Sequence, residues 1–204
     1  MHDRTNRLPK EFLGMEHASK PATNDRMYSY ELDSEDRIVF CSDTWDNFAA
    51  ENDGSHLAFD KISGQSIWSH ISCERTVGLY QRIFASARAG KPVQFFLRCD
   101  SPSIRRLLHV SVSPTIDGRV RTTTLLFRSD EREPLPTVMC EEKPDGEECY
   151  TLCTWCNKLD VDGWRELEAV TGDRDSEGKA SPPAVRHGIC DPCYDRIDQQ
   201  LIGH

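Results

Sequence analysis

With 204 residues, 29% of them charged and 37% hydrophobic, and a net charge of −9, the chain has material for one domain of about 100 residues, a small module and polar flanks. The acidic balance argues against nucleic acid and anionic membranes, whose phosphates require clustered Lys and Arg; no run of about 18 apolar residues, the length that spans a bilayer, occurs in the sequence. The opening MHDRTNRLPKEFLGMEHASK lacks the apolar core of a secretory signal, so a cytoplasmic protein is expected. Thiols stay reduced there, and nine cysteines then point to metal or redox chemistry rather than a disulfide framework.

Residues 1–26 read as a flexible polar tail, with room for a short amphipathic helix over 11–17. YSYELD alternates like a half-buried strand, SEDR is a turn and RIVFCS is β-rich, so 28–42 reads as a hairpin. A short helix follows, capped by Ser42 or Asp43, with Trp45, Phe48 and Ala49 on one face and Gly54 at its end. Residues 55–72 read as short helices and loops. CERTVGLYQRIFASARAG is the strongest helix, with an apolar stripe of Val77, Tyr80, Ile83, Phe84 and Ala87 and a stop at Gly90. Three strands are expected over 92–100, 105–114 and 119–129, the last two joined by a turn at IDG, 116–118. Residues 130–149 hold eight carboxylates, two basic side chains and three prolines, the composition of a linker.

The order strand, strand, helices, long helix, three strands resembles that of PAS domains. ELDSEDRIVFCSDTWDNFA looks like the usual PAS opening, and the likeness covers 27–129. It implies an α+β fold, a five-stranded antiparallel sheet with helices on one face, that binds a small ligand, haem or a partner and forms homodimers. Trp68, Tyr80, Phe84, Phe95, Leu97, Leu107 and Val110 are the side chains for a pocket between sheet and helices, although apolar residues at this periodicity more often pack against each other as a core. His70 is the candidate haem ligand, against a surface or hydrogen-bonded histidine. Cys41, Cys73 and Cys99 lack a flavin-adduct motif. In RCDSPSIRR, Arg105 or Arg106 is placed to meet an acidic ligand or to pair with Asp100.

The C-terminal segment, 150–204, carries two C-x2-C words, CTWC and CDPC, with 33 residues between Cys156 and Cys190. Two thiolates three apart can grip one ion, and a second pair completes a tetrahedron. NKLDVDGWRELEAV reads as a turn and then a helix, capped by Asp162, with Trp164, Leu167 and Val170 inward. CDPCYDRIDQQLI opens another helix, with Pro192 in its first turn and Tyr194, Ile197 and Leu201 inward. Cys190 and Cys193 thus stand at a helix start, where the dipole favours thiolate. A knuckle plus a helix-start pair resembles treble-clef zinc modules, and CTWC, DGW and HGICDPC resemble a C-terminal segment of bacterial PAS-containing signalling proteins. Residues 171–186 form an unusually long polar loop between them.

Cys153, Cys156, Cys190 and Cys193 are therefore the expected ligands of one structural Zn2+. His187 is the expected hydrogen-bond partner beside them, and Cys140 and Cys149 are free thiols. A thiol–disulfide switch on the same pairs and an iron–sulfur centre are the competing chemistries. So small a module cannot bury enough surface to fold unaided; zinc contributes on the order of 10 kcal/mol in such peptides. The alternative source of a core is docking on the preceding domain. No catalytic constellation is apparent, and four sulfurs leave zinc no open position. The sequence predicts a non-catalytic signalling protein that senses a ligand or partner and passes the signal by protein contact. Haem or flavin, a redox sensor that releases zinc, a DNA-binding regulator and a zinc enzyme are the alternatives.

Overall fold

The computed structural model describes residues 27–51, 54–135, 149–171 and 184–203. The N-terminal tail, most of the acidic linker with Cys140, and most of the long polar loop lie outside the described residues. The fold is mixed α+β. Strands β1 (Met27–Leu32) and β2 (Ile38–Cys41) form the expected hairpin, followed by helix α1 (Asp43–Glu51) and a short α2 (Phe59–Ile62). Helix α3 (Glu74–Arg88) leads into β3 (Val93–Arg98), β4 (Ile104–Pro114) and β5 (Val120–Glu131). These strands make a five-stranded antiparallel sheet in the order β2-β1-β5-β4-β3. The β4–β5 turn places Asp117 and Gly118 at φ 60° and 73°, conformations that IDG supplies at little cost.

Helix α3 packs across β3, β4 and β5. Its buried stripe is Thr76, Leu79, Ile83, Phe84 and Ala87. The stripe is rotated from the expected one: Leu79 is fully buried, whereas Val77 and Tyr80 are half-buried at its edge. The turning force is the second half of the chain, which covers the flank of α3 that carries Tyr80.

A second sheet, ordered β8-β7-β6-β9, is built from β6 (Cys149–Cys153), β7 (Lys158–Asp160), β8 (Trp164–Glu166) and β9 (Ala184–Gly188). Strands β6 and β9 run parallel; the other pairs are antiparallel. Helix α4 spans Leu167–Thr171 and α5 spans Asp191–Ile202. The helix expected after CTWC is thus mostly a hairpin. Asp162 and Gly163 sit at φ 53° and 108°, so Asp162 occupies a tight turn rather than a cap, and Trp164 lies on a strand. Asp-Gly is a strong hairpin signal, and it outweighs the helical spacing of Trp164, Leu167 and Val170. Helix α5 is as expected: Cys190 is its N-cap, Pro192 lies in the first turn and Ile197 is buried.

The expected boundary at 129–130 falls within β5, which continues to Glu131; the Arg132 and Leu135 amides then bond to the Ser103 and Pro102 carbonyls. Cys149 is the first residue of β6, half-buried. One hydrophobic cluster runs through both halves, joining Leu79, Phe84, Phe95 and Val110 to Trp155, Ile189, Ile197 and the four cysteines of the two C-x2-C words. Among the described residues, no helix is long and apolar enough to cross a membrane.

Candidate metal centre

Strand β6 ends at Cys153, and the chain turns back through Trp155 and Cys156. The Asn157 amide donates to the Cys153 carbonyl at 2.8 Å, and Asn157 itself adopts φ 59°, a left-handed conformation that Asn tolerates. Thr154 fastens the turn to β9, donating to the Gly188 carbonyl from its amide at 2.9 Å and from its hydroxyl at 3.1 Å. The parallel register sets Cys153 opposite Gly188, which brings Cys190, two residues on, beside it. The Cys190 amide then donates to the Cys153 sulfur at 3.4 Å. Cys193 comes from the next turn of α5, on the same helix face as Cys190.

The sulfurs of Cys153, Cys156, Cys190 and Cys193 all lie within 4.8 Å of one another, and all four residues are buried. The Cys156 and Cys190 sulfurs are 3.8 Å apart. A tetrahedral site with Zn–S bonds of about 2.3 Å has edges of about 3.8 Å, whereas a disulfide requires about 2.05 Å. The spacing and the all-thiol donor set fit a metal ion such as zinc. Hydrogen bonds from Cys156, Cys190 and Cys193, with the Cys190 amide, push the Cys153 thiol below its ordinary value, whereas hydrogen bonding to Cys153 and burial push the Cys156 and Cys193 thiols above theirs. His187, on β9 opposite Leu152, is exposed and lies beside two surface cavities, and the four sulfurs complete a donor set without it.

A dense ionic network anchors this centre to the first sheet. The Asp100 side chain is 1% exposed and pairs with Arg98 and with Arg132, the latter at 3.2 Å. It also accepts from the Arg106 amide at 3.1 Å and from Asn157 Nδ2 at 3.1 Å. Asn157 is the residue that closes the cysteine turn, so one carboxylate binds both halves. Arg98 reaches on to Glu166 at 2.8 Å, while Arg132 and Arg105 reach Glu168 at 2.7 and 2.8 Å. Burial pushes the Glu168 carboxyl upward, but its own backbone amide, Arg105 and Arg132 outweigh this and hold it below the ordinary range. On the helix side, Arg75 pairs with Asp191 at 2.6 Å and Arg82 pairs with Asp198. The Arg98 amide donates to the Trp155 carbonyl at 2.9 Å.

The remaining predicted site residues separate. His70, Tyr80 and Phe84 line a cavity of about 400 Å3. Trp68 packs on Phe84 with ring centroids 5.7 Å apart, and Phe95 on Trp155 at 5.6 Å, both as core. Arg106 lies apart from this cavity; its backbone, not its side chain, meets Asp100. The ion pair expected of Asp100 exists, but with Arg98 and Arg132. RCDSPSIRR offers three arginines, and nothing in a local pattern brings in Arg132 from the end of β5. Trp155 was also missed as a cavity wall, although its place between two metal-ligand positions marks it.

Compared with known proteins, the chain matches no family model, and no curated protein resembles it significantly.

Proposed function

We propose that this chain is a non-catalytic cytoplasmic sensor, with a PAS-like domain over 27–129 and a treble-clef-like module whose Cys153, Cys156, Cys190 and Cys193 hold one structural Zn2+. A single observation carries the reading: the four buried thiols stand at tetrahedral spacing inside the cluster that also forms the core of the first sheet. A metal with four sulfur ligands has no open position for water or substrate, so its role is to crosslink. The strand order and the long helix across the sheet support the PAS-like part. Trp155, between two of the ligands, packs against Tyr80 and Phe95, so a change in the first half is felt at the metal turn.

Output passes through protein contact. Met27 and Leu125 are paired on the sheet and 44% and 40% exposed; Phe40 lies on the same side, two strands from Leu125, and Phe127 packs on Phe96. This apolar band is the surface through which two copies would pair.

Elemental analysis and an absorption spectrum of the purified protein test the reading. About one zinc per chain is expected, without a Soret or flavin band, and Cys190→Ser is expected to lose the metal. Less than about half a zinc per chain, with Cys190→Ser folding like the wild type, overturns it.

A further inference from the structure

Helix α5 runs along α3 in the same direction, and the two are matched in charge. Arg75 and Arg82 stand seven residues apart on α3, Asp191 and Asp198 seven apart on α5, and each arginine meets one aspartate. A seven-residue step returns a helix to nearly the same face, so the two pairs form one stripe. Tyr194 lies between them. The Arg75 guanidinium carbon stands 4.4 Å from the centre of its ring, and Arg82 Nη1 donates to its hydroxyl at 3.4 Å.

Little else holds α5 in place. Of its twelve residues, Cys193 and Ile197 are buried, and Tyr194 and Leu201 are half-buried against the shared core. Cys193 and the N-cap Cys190 are two of the four thiols of the metal centre. The arginine side chains of the two ion pairs are 45% and 43% exposed, and pairs so exposed hold weakly and weaken further with salt. A helix of this length is marginal by itself in water. The thiol cluster is therefore the main tether of α5, and the charge stripe sets how it lies on α3.

We infer that the α3 face bearing Arg75 and Arg82 is a docking surface for an acidic amphipathic helix of a partner protein, and that α5 occupies it as an internal stand-in while Cys190 and Cys193 are bound to metal. Charge complementarity defines the partner. It carries two carboxylates seven residues apart, with an aromatic ring between them and an aliphatic side chain facing the core, as Asp191, Tyr194, Ile197 and Asp198 do here. The inference rests on the metal reading of the four thiols and supplies a contact by which the sensor passes on its signal. Without the ion, α5 keeps two weak pairs and one buried isoleucine, and a partner helix can displace it. Linkage makes the effect reciprocal: a partner helix on α3 weakens metal retention.

The test uses the full-length protein, zinc-loaded and after removal of zinc with a chelator. The probe is a fluorescent peptide copying residues 189–203 with Cys190→Ser and Cys193→Ser, which presents the acidic stripe and binds no metal. It is expected to bind zinc-free protein at least about tenfold more tightly than zinc-loaded protein. Hydrogen exchange is expected to show α5 losing most of its protection without zinc while β3, β4 and β5 keep theirs. Arg75→Glu with Arg82→Glu is expected to abolish binding of this peptide and to accept one that also carries Asp191→Lys and Asp198→Lys, an exchange that a merely structural role of the arginines does not produce. No peptide binding, equal affinity with and without zinc, α5 protection that survives zinc removal, or loss of the first sheet together with α5 each overturns the inference. Zinc measured in the same samples separates the two readings: about one zinc per chain with any of these outcomes removes the docking surface alone, whereas folded protein purified without zinc removes the metal reading beneath it.

Discussion

Replacing Asp100 by Ala should be among the most damaging single changes outside the metal ligands. Its carboxylate is 1% exposed and accepts from Arg98, Arg132, the Arg106 amide and Asn157. Truncation leaves the Arg98 and Arg132 side chains, 9% and 8% exposed, with the carboxylates of Glu166 and Glu168 and, for Arg132, the Ser101 and Pro102 carbonyls. Breaking a buried charge pair by removing one partner costs about 3–5 kcal/mol. For a chain of this size that corresponds to a fall in Tm of roughly 10 °C. Urea denaturation of zinc-loaded protein measures it directly. Asp100→Asn, which keeps an acceptor but not the charge, should fall between wild type and Asp100→Ala. A double-mutant cycle with Asn157→Ala should return a coupling of about 0.5–3 kcal/mol, because Asn157 ties the same carboxylate to the cysteine turn. A loss below about 1 kcal/mol for Asp100→Ala, or additivity with Asn157→Ala, would refute the view that this carboxylate joins the two halves.

Two further outcomes follow from the same geometry. A Cβ added at Gly188 would stand 2.6 Å from the Thr151 methyl group, so Gly188→Ala should destabilise the β6–β9 seam by about 1–3 kcal/mol and weaken zinc retention against a chelator; Thr151→Ser, which removes that methyl, should restore most of both. Leu125→Glu, at the centre of the exposed apolar band, should leave thermal stability within about 0.5 kcal/mol and shift sedimentation from dimer to monomer; a wild-type protein that sediments as a monomer counts against pairing through the sheet.

Much of the fold was legible because its signals are local. The alternation of YSYELD and RIVFCS, the turn residues of IDG and the apolar spacing of the α3 sequence depend on neighbours within a few positions, and each element formed where it was read. The failures share a cause. At 157–166, strand pairing competed with helical spacing, and the Asp-Gly turn decided the outcome. At α3, the period was right but the phase was not, since the buried face of a helix is set by what covers it, and Tyr80 is covered by a residue 75 positions later, Trp155.

What the sequence determined by itself is the donor set of the candidate metal site: four thiols in two C-x2-C words, one pair at a helix start. What only the tertiary structure decided is where that site stands. The parallel register of β6 and β9 closes the tetrahedron, and Asp100, with arginines drawn from β3 and the end of β5, holds it against the first sheet. The physical reason is that ligand spacing is a local property of the chain, whereas burial, charge pairing and the wall of a cavity belong to surfaces that meet only after the chain has folded back on itself.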